Sequence, residues 1–134
     1  MGNIYAGRTI ELPKTSGGIP HLWIVVTDPE GNPPEVVIVN LTTRQIDSDT
    51  TVVLNVGDHR YIRHETVVFY ADARFAKTAG IEAISRFPGY GYHDDCSAKL
   101  LSTVRQGLLD SADTPKKIKE YCKVRFPPAS GSAP

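Results

Sequence analysis

Two apolar runs, HLWIVVTD (21–28) and EVVIVNLT (35–42), constrain the fold of this chain more than any other feature. Neither alternates apolar with polar residues. A strand with one wet face would show period two, so a stretch that is nearly all apolar reads as a strand covered on both sides. Between them PEGNPP (29–34) is a dense turn signal, because Pro, Gly and Asn each supply a bend at low steric cost. Arg8–Leu12, ended by Pro13, reads as a short strand before them. TTVVLNV (50–56) reads as a third main strand, and TVVFYADARF (66–75) as a fourth with a short fifth at its end. KTSGGIP (14–20) is expected to be a flexible loop and TRQIDSD (43–49) a polar connection. Strands spaced at roughly 12–15 residues and separated by turn residues predict a small barrel or sandwich.

The second half changes character. FPGYGYHDD (87–95) reads as a Gly/Tyr-rich loop. Asp94 or Asp95 is expected to cap a helix over CSAKLLSTVRQGLLDSA (96–112), with Ala98, Leu101, Val104 and Leu108 on its apolar face. Gly107 should weaken that helix slightly. Thr114 is expected to cap a second helix with Pro115 at its first position, and Ile118, Tyr121 and Cys122 give it an apolar stripe. FPPASGSAP (126–134) reads as a disordered tail. The prediction is mainly β with C-terminal helices, one barrel domain over 1–125.

A chain of 134 residues can bury a core of that kind without a metal or disulfide. Fifteen basic and fifteen acidic residues cancel, so bulk charge gives no pull toward nucleic acid or membrane. A polyanion would have to be held by a local patch. Cys96 and Cys122 lie in helix-like segments without CxxC spacing and read as reduced thiols. The N-terminal residues contain no signal-peptide apolar core, and no run approaches about 20 apolar residues. The expectation is a soluble cytoplasmic protein with no membrane contact.

One stretch holds the side chains with chemical potential. GDHRYIRH (57–64) carries two of the four histidines, His59 and His64, with Arg60 and Arg63 between them. The plain reading is a tight corner: Asp58 holds His59 or caps the turn, and Arg63 pairs with Glu65. The functional reading is phosphodiester chemistry. An imidazole titrates near pH ~6.5 and can take or give a proton at neutrality. A guanidinium stays charged and grips phosphate oxygens with two donors. Residues 59 and 64 would face opposite ways on one regular strand, so either the loop turns between them or a single histidine serves. Zinc ligation by Asp58, His59 and His64 matches no standard spacing, and no metal or cofactor is expected. In NLTTR (40–44) a strand ends in Thr42, Thr43 and Arg44, ordinary strand-end residues that also suit phosphate oxygens. His21 follows the glycine loop and could cover a ligand, or simply open the strand. The tyrosines of 88–95 are more simply packed than stacked on bases, and His93 reads as decoration of the helix entry.

The order of elements resembles the MazF/PemK growth-inhibitor family of toxin–antitoxin systems over residues 7–109. GRTIEL, KTSGG and IPHLWIVVTDP resemble the family's first strand, glycine loop and hydrophobic second strand. VVIVNLTT resembles the strand that ends in a Thr/Ser pair, which gives that role to Thr42 and Thr43. The counterparts of the family's catalytic arginine and acid would be Arg60 or Arg63 with His64, or else Asp72 and Arg74. Where the family places basic residues before the proline, this chain has Gly17, Gly18 and Ile19, with His21 after Pro20. The proline usual after the third strand is absent. The resemblance implies an SH3-like barrel, a homodimer, an antitoxin-like protein partner and metal-independent cleavage of RNA. On that view His59, Arg60, Arg63 and His64 act on the phosphodiester, and His21, Thr42, Thr43, Arg44 and Arg74 bind the strand. The alternative is an SH3-like module that binds protein or nucleic acid without cutting it.

Overall fold

The computed structural model describes residues 2–13 and 18–127. The expectations for residues 14–17 of the glycine loop and for the tail from 128 onward lie outside the described residues. Strands β1 (Thr9–Pro13), β2 (Pro20–Val25), β3 (Glu35–Thr43), β4 (Val53–Leu54) and β5 (Thr66–Lys77) precede helix α1 (Thr78–Ile84). Strand β6 (Gly91–His93) and helices α2 (Ala98–Asp110) and α3 (Lys116–Lys123) complete the order. The strands form one six-stranded sheet, β4-β5-β3-β2-β1-β6, and its pairings are antiparallel. The result is a mixed α/β fold, a curled open half-barrel with all three helices in the second half of the chain.

Both faces of the central strands are covered, which explains why β2 and β3 are nearly all apolar along their middles. Val37, Val39 and Leu41 of β3 point into a core shared with Val104 and Leu108 of α2 and Ile118 and Cys122 of α3. Val36 and Ile38 point the other way, into a second core with Ile10, Trp23 and Ile81. Alternation along β3 thus feeds two cores rather than one core and solvent. Buried Thr27, just past β2, accepts a hydrogen bond on its hydroxyl from the Val37 N–H at 2.8 Å and continues the pairing.

β4 and β6 are the sheet's two edges and do not pair with each other. Side chains of the 57–64 corner span the gap between them. His59 Nε2 lies 2.7 Å from the Asp94 carbonyl, just past β6. Arg60 Nη1 lies 3.3 Å from an Asp94 carboxylate oxygen, and the Tyr61 hydroxyl donates to Glu11 of β1 at 3.1 Å. The half-barrel is therefore fastened across its opening by side chains instead of a strand ladder.

Several elements depart from the sequence reading. The strand expected over 50–56 shrinks to Val53–Leu54. Aspartates at both ends take the backbone donors: Asp49 accepts from Thr51 N–H and Asp58 from Asn55 N–H. The fourth and fifth strands expected in 66–75 are one strand, β5, with a register shift opposite Ile38 to Asn40. The loop expected over 87–95 contains β6, paired to β1 with Thr9 opposite His93. α1 has no counterpart in the sequence reading. Ser97, not Asp94 or Asp95, caps α2 by accepting from Leu100 N–H at 3.0 Å. Thr114 does not cap α3; its hydroxyl donates to the Leu108 carbonyl at 2.7 Å and ties the α2–α3 turn. On α2, Leu100, Val104, Gly107 and Leu108 are buried, whereas Ala98 is exposed. Gly107 is a point of close approach: a Cβ there would sit 2.9 Å from Tyr70 Cζ, and nearer still to the Tyr70 hydroxyl and Val52 Cγ2.

Candidate functional site

A cleft of about 1100 Å³ opens beside the corner that fastens the sheet. Leu22, Leu41 and Ile62 contribute apolar walls, and the polar groups expected from the sequence come from three distant segments. From the start of β2 comes His21, whose Nδ1 lies 3.4 Å from the Leu41 carbonyl. From the end of β3 come Thr42, half-buried, and Thr43, exposed. From the corner come His59, Arg60, Arg63 and His64. The corner can form because Gly57 takes a φ of 106°, a conformation that suits glycine, and because the Ile62 N–H closes on the His59 carbonyl at 3.0 Å. That turn removes the objection that residues 59 and 64 must face opposite ways: both line the same cleft.

The four corner side chains are not equivalent. Buried His59 uses both ring nitrogens. The Tyr61 N–H donates to Nδ1 at 3.0 Å, so Nδ1 is the acceptor and the proton sits on Nε2, which donates to the Asp94 carbonyl. A ring so held has no free lone pair and no proton to transfer without opening the fastening. That placement favours the plain reading of His59, a corner histidine that ties the two sheet edges together. Arg60 is 87% exposed and pairs with Asp94. An exposed pair of that kind is worth about 0–1 kcal/mol, and a phosphate can compete for it. Arg63 and His64 are exposed, and among the described residues their side chains have no hydrogen bond or ion pair. Glu65, expected to hold Arg63, pairs with Arg44 at 3.2 Å instead.

Arg44 and Arg74 do not line the cleft. Arg44 is held by Glu65, and Arg74 pairs with Asp72 and lies 5.0 Å from the Trp23 ring centroid, beside the second core. Arg44 and Arg74 are thus not brought together with the corner residues, and the Asp72–Arg74 pair lies apart from the cleft. The three residues weighed for zinc do not gather. Asp58 accepts the Asn55 N–H, His59 is fully engaged, and among the described residues no three His, Cys, Asp or Glu side chains gather as a metal site. Burial, with Asp95 nearby, pushes the Cys96 thiol up to about 12, and burial pushes Cys122 to about 12, so neither is a ready nucleophile. No helix among the described residues is long and apolar enough to cross a membrane.

Other cleft residues escaped the sequence reading. Arg8 stacks over the Tyr92 ring at 3.9 Å and receives support from the Tyr5 hydroxyl, which its Nη1 reaches at 2.9 Å. His93, read as decoration, lines the cleft from β6. Its Nε2 lies 2.7 Å from Glu11 Oε1, and its ring meets Tyr61 edge-on at 5.1 Å. Burial and the Glu11 carboxylate push the Tyr61 hydroxyl up to about 12, so it stays a donor. Glu11 and His93 are 82 positions apart, and only the β1–β6 pairing joins them. The GYH alternation after the Pro88-Gly89 turn was the one local sign of a strand there.

Three arginines, Arg8, Arg60 and Arg63, line the cleft against one carboxylate, Asp94. Arg8 pairs with Asp95 at 3.6 Å and Arg60 with Asp94, while Arg63 has no ion pair among the described residues. In comparison with known proteins, the chain matches no family model, no curated protein and no solved structure.

Proposed function

We propose that the cleft binds single-stranded RNA and cleaves its backbone with side-chain acid–base chemistry, as an endoribonuclease resembling the MazF/PemK growth inhibitors. The curled sheet serves in that reading as an SH3-like barrel. The observation that carries it is convergence. His21, Thr42, Thr43, Arg60, Arg63 and His64 come from three separate segments and line one cleft. That cleft is large enough for a nucleotide, and its Arg60 and Arg63 are exposed. In cleavage, a base removes the 2′-OH proton, the 2′-oxygen bonds to phosphorus, and the 5′-oxygen leaves with a proton from an acid. Arg60 and Arg63 neutralise the phosphorane, because fixed cations act most strongly where charge develops. Thr42 and Thr43 hydroxyls hold non-bridging oxygens, and His21 borders the ligand from β2. His64, unencumbered and exposed, is the proton donor to the 5′-oxygen.

The test is cleavage of a degenerate RNA pool in EDTA. His64→Ala is expected to slow cleavage by about 10²–10⁴-fold at unchanged melting temperature. Undiminished cleavage by that variant removes His64 from the chemistry, and an inert wild type sinks the enzyme reading. A second reading has its own support, since the fastening consumes one of the corner's two imidazoles. In that case the same cleft is a binding surface, and uncleavable 2′-O-methyl RNA is bound while no RNA is cut. A homodimer, an antitoxin-like protein partner and a cytoplasmic setting belong to the first reading. Sedimentation of the purified chain tests the dimer.

A further inference from the structure

We infer that His93, oriented by Glu11, is the general base of the cleft and takes the 2′-OH proton of a bound ribonucleotide. The inference rests on the nuclease reading and names the group that reading lacks once His59 is set aside. Acid–base cleavage needs two proton-transfer groups, and the corner supplies only His64.

The geometry around His93 is that of an oriented imidazole. Its Nε2 is 2.7 Å from Glu11 Oε1, so Nε2 carries the proton and donates to the carboxylate. The lone pair is then on Nδ1, which has no hydrogen-bond partner among the described residues. Glu11 is itself held: its second oxygen accepts the Tyr61 hydroxyl at 3.1 Å, and its backbone sits in β1 between β2 and β6. Tyr61 in turn meets the His93 ring edge-on. Tautomer and ring plane are thereby set by the β1–β6 pairing together with Tyr61 of the corner. A carboxylate behind an imidazole holds the ring and stabilises the positive charge it acquires on taking a proton. The His93 side chain is 35% exposed, enough to meet a ligand in the cleft it lines. Arg8 lines the same wall over Tyr92, with Asp95 as its ion-pair partner at 3.6 Å.

The step balances. The 2′-OH proton moves to Nδ1 of His93, the 2′-oxygen bonds to phosphorus, and the phosphorus–5′-oxygen bond breaks. His64 protonates the departing oxygen. The products are a 2′,3′-cyclic phosphate and a 5′-hydroxyl; the proton on His93 then passes to solvent and His64 regains one from solvent. Glu11 touches no reacting atom and is a positioning residue.

The experiment compares the full-length wild type with His93→Ala, His93→Gln and Glu11→Gln in single-turnover cleavage of RNA across pH. Binding of a 2′-O-methyl RNA of the same sequence is measured in parallel. His93→Ala should lose about 10²–10⁴-fold in rate, bind the uncleavable RNA within about threefold of wild type, and recover part of its rate in added imidazole. Glu11→Gln should lose about tenfold or more and displace the pH profile. If His93→Ala does not fold, His93→Gln, whose amide can still donate to Glu11, carries the same expectation except imidazole rescue. Cleavage by the His93 variants within threefold of wild type overturns this inference and leaves the nuclease reading standing. Loss of rate with equal loss of binding and no rescue also overturns it, assigning His93 to structure. A wild type that cuts no RNA overturns both. Nitrogen chemical shifts of the wild-type ring above neutral pH give an independent check, and a neutral ring protonated on Nδ1 overturns the inference.

Discussion

Gly107→Ala is the perturbation for which local and tertiary reasoning predict opposite signs. Gly107 lies in the last turns of α2, where exchanging Gly for Ala in a helix interior gains about 1 kcal/mol. The structure opposes that gain. An added methyl would lie 2.9 Å from Tyr70 Cζ, with the Tyr70 hydroxyl and Val52 Cγ2 nearer still. Those are atoms of a closed core. Tyr70 is wholly buried, and its hydroxyl donates to the Val104 carbonyl at 2.7 Å. Forcing a methyl into such a core costs about 1–3 kcal/mol. Displacing the Tyr70 hydroxyl breaks a buried hydrogen bond, a further loss of about 1–3 kcal/mol. Against the helix gain, the net is a loss of about 3 kcal/mol, or about 10 °C in Tm for a chain of this size. Urea unfolding followed by circular dichroism measures it, with Tyr70→Phe as the partner in a double-mutant cycle. Because Tyr70→Phe already removes the hydroxyl, Gly107→Ala should cost at least about 1 kcal/mol less in that background. A Gly107→Ala protein as stable as wild type, or more so, would refute the close approach of α2 to β5.

Two further predictions accompany the cleavage variants. His59→Ala should lower stability by about 2–3 kcal/mol in urea unfolding, because it strips a partner from the Tyr61 N–H and the fastening to Asp94. A His59 variant as stable as wild type yet dead in cleavage would return His59 to the chemistry. Asp49 carries the pH prediction. Burial pushes its carboxyl upward, but hydrogen bonds from the Ser111 and Thr51 hydroxyls and the Thr51 backbone outweigh burial and leave it below the usual carboxylate range. Its contribution is therefore complete above the unfolded value of ~3.9 and disappears as pH falls through the lower folded value. The stability lost in Asp49→Asn should be largest near neutrality and shrink below about pH 4; a difference constant from pH 7 to pH 2 counts against it.

Much of the sheet was legible because its signals are local. The nearly all-apolar runs of β2 and β3 announce strands covered on both sides, and two cores cover them. The Gly-containing 57–64 stretch announced a corner, and the cleft gathers around it. Less was legible where short polar side chains compete with a ladder, as Asp49 and Asp58 do around β4. β6 was missed because a three-residue strand has too little period to show, and its stability comes from β1. The need for glycine at 107 is not legible for the same kind of reason. Helix propensity is a property of the residue, whereas the Tyr70 ring against it belongs to β5.

The sequence by itself determined which residue types are present and where the chain turns. It placed imidazoles and guanidiniums on one connection and hydroxyls at a strand end, and those side chains share a cleft. It could not rank them. His59 and His64 have the same chemistry and neighbours of the same kind, and they separate only when the ends of the sheet meet. One ring is then held by a carbonyl from beyond β6 and a backbone amide, while the other has no partner among the described residues. The Glu11–His93 contact depends on the tertiary structure in the same way, because a hydrogen bond between residues 82 positions apart exists only once β1 and β6 pair.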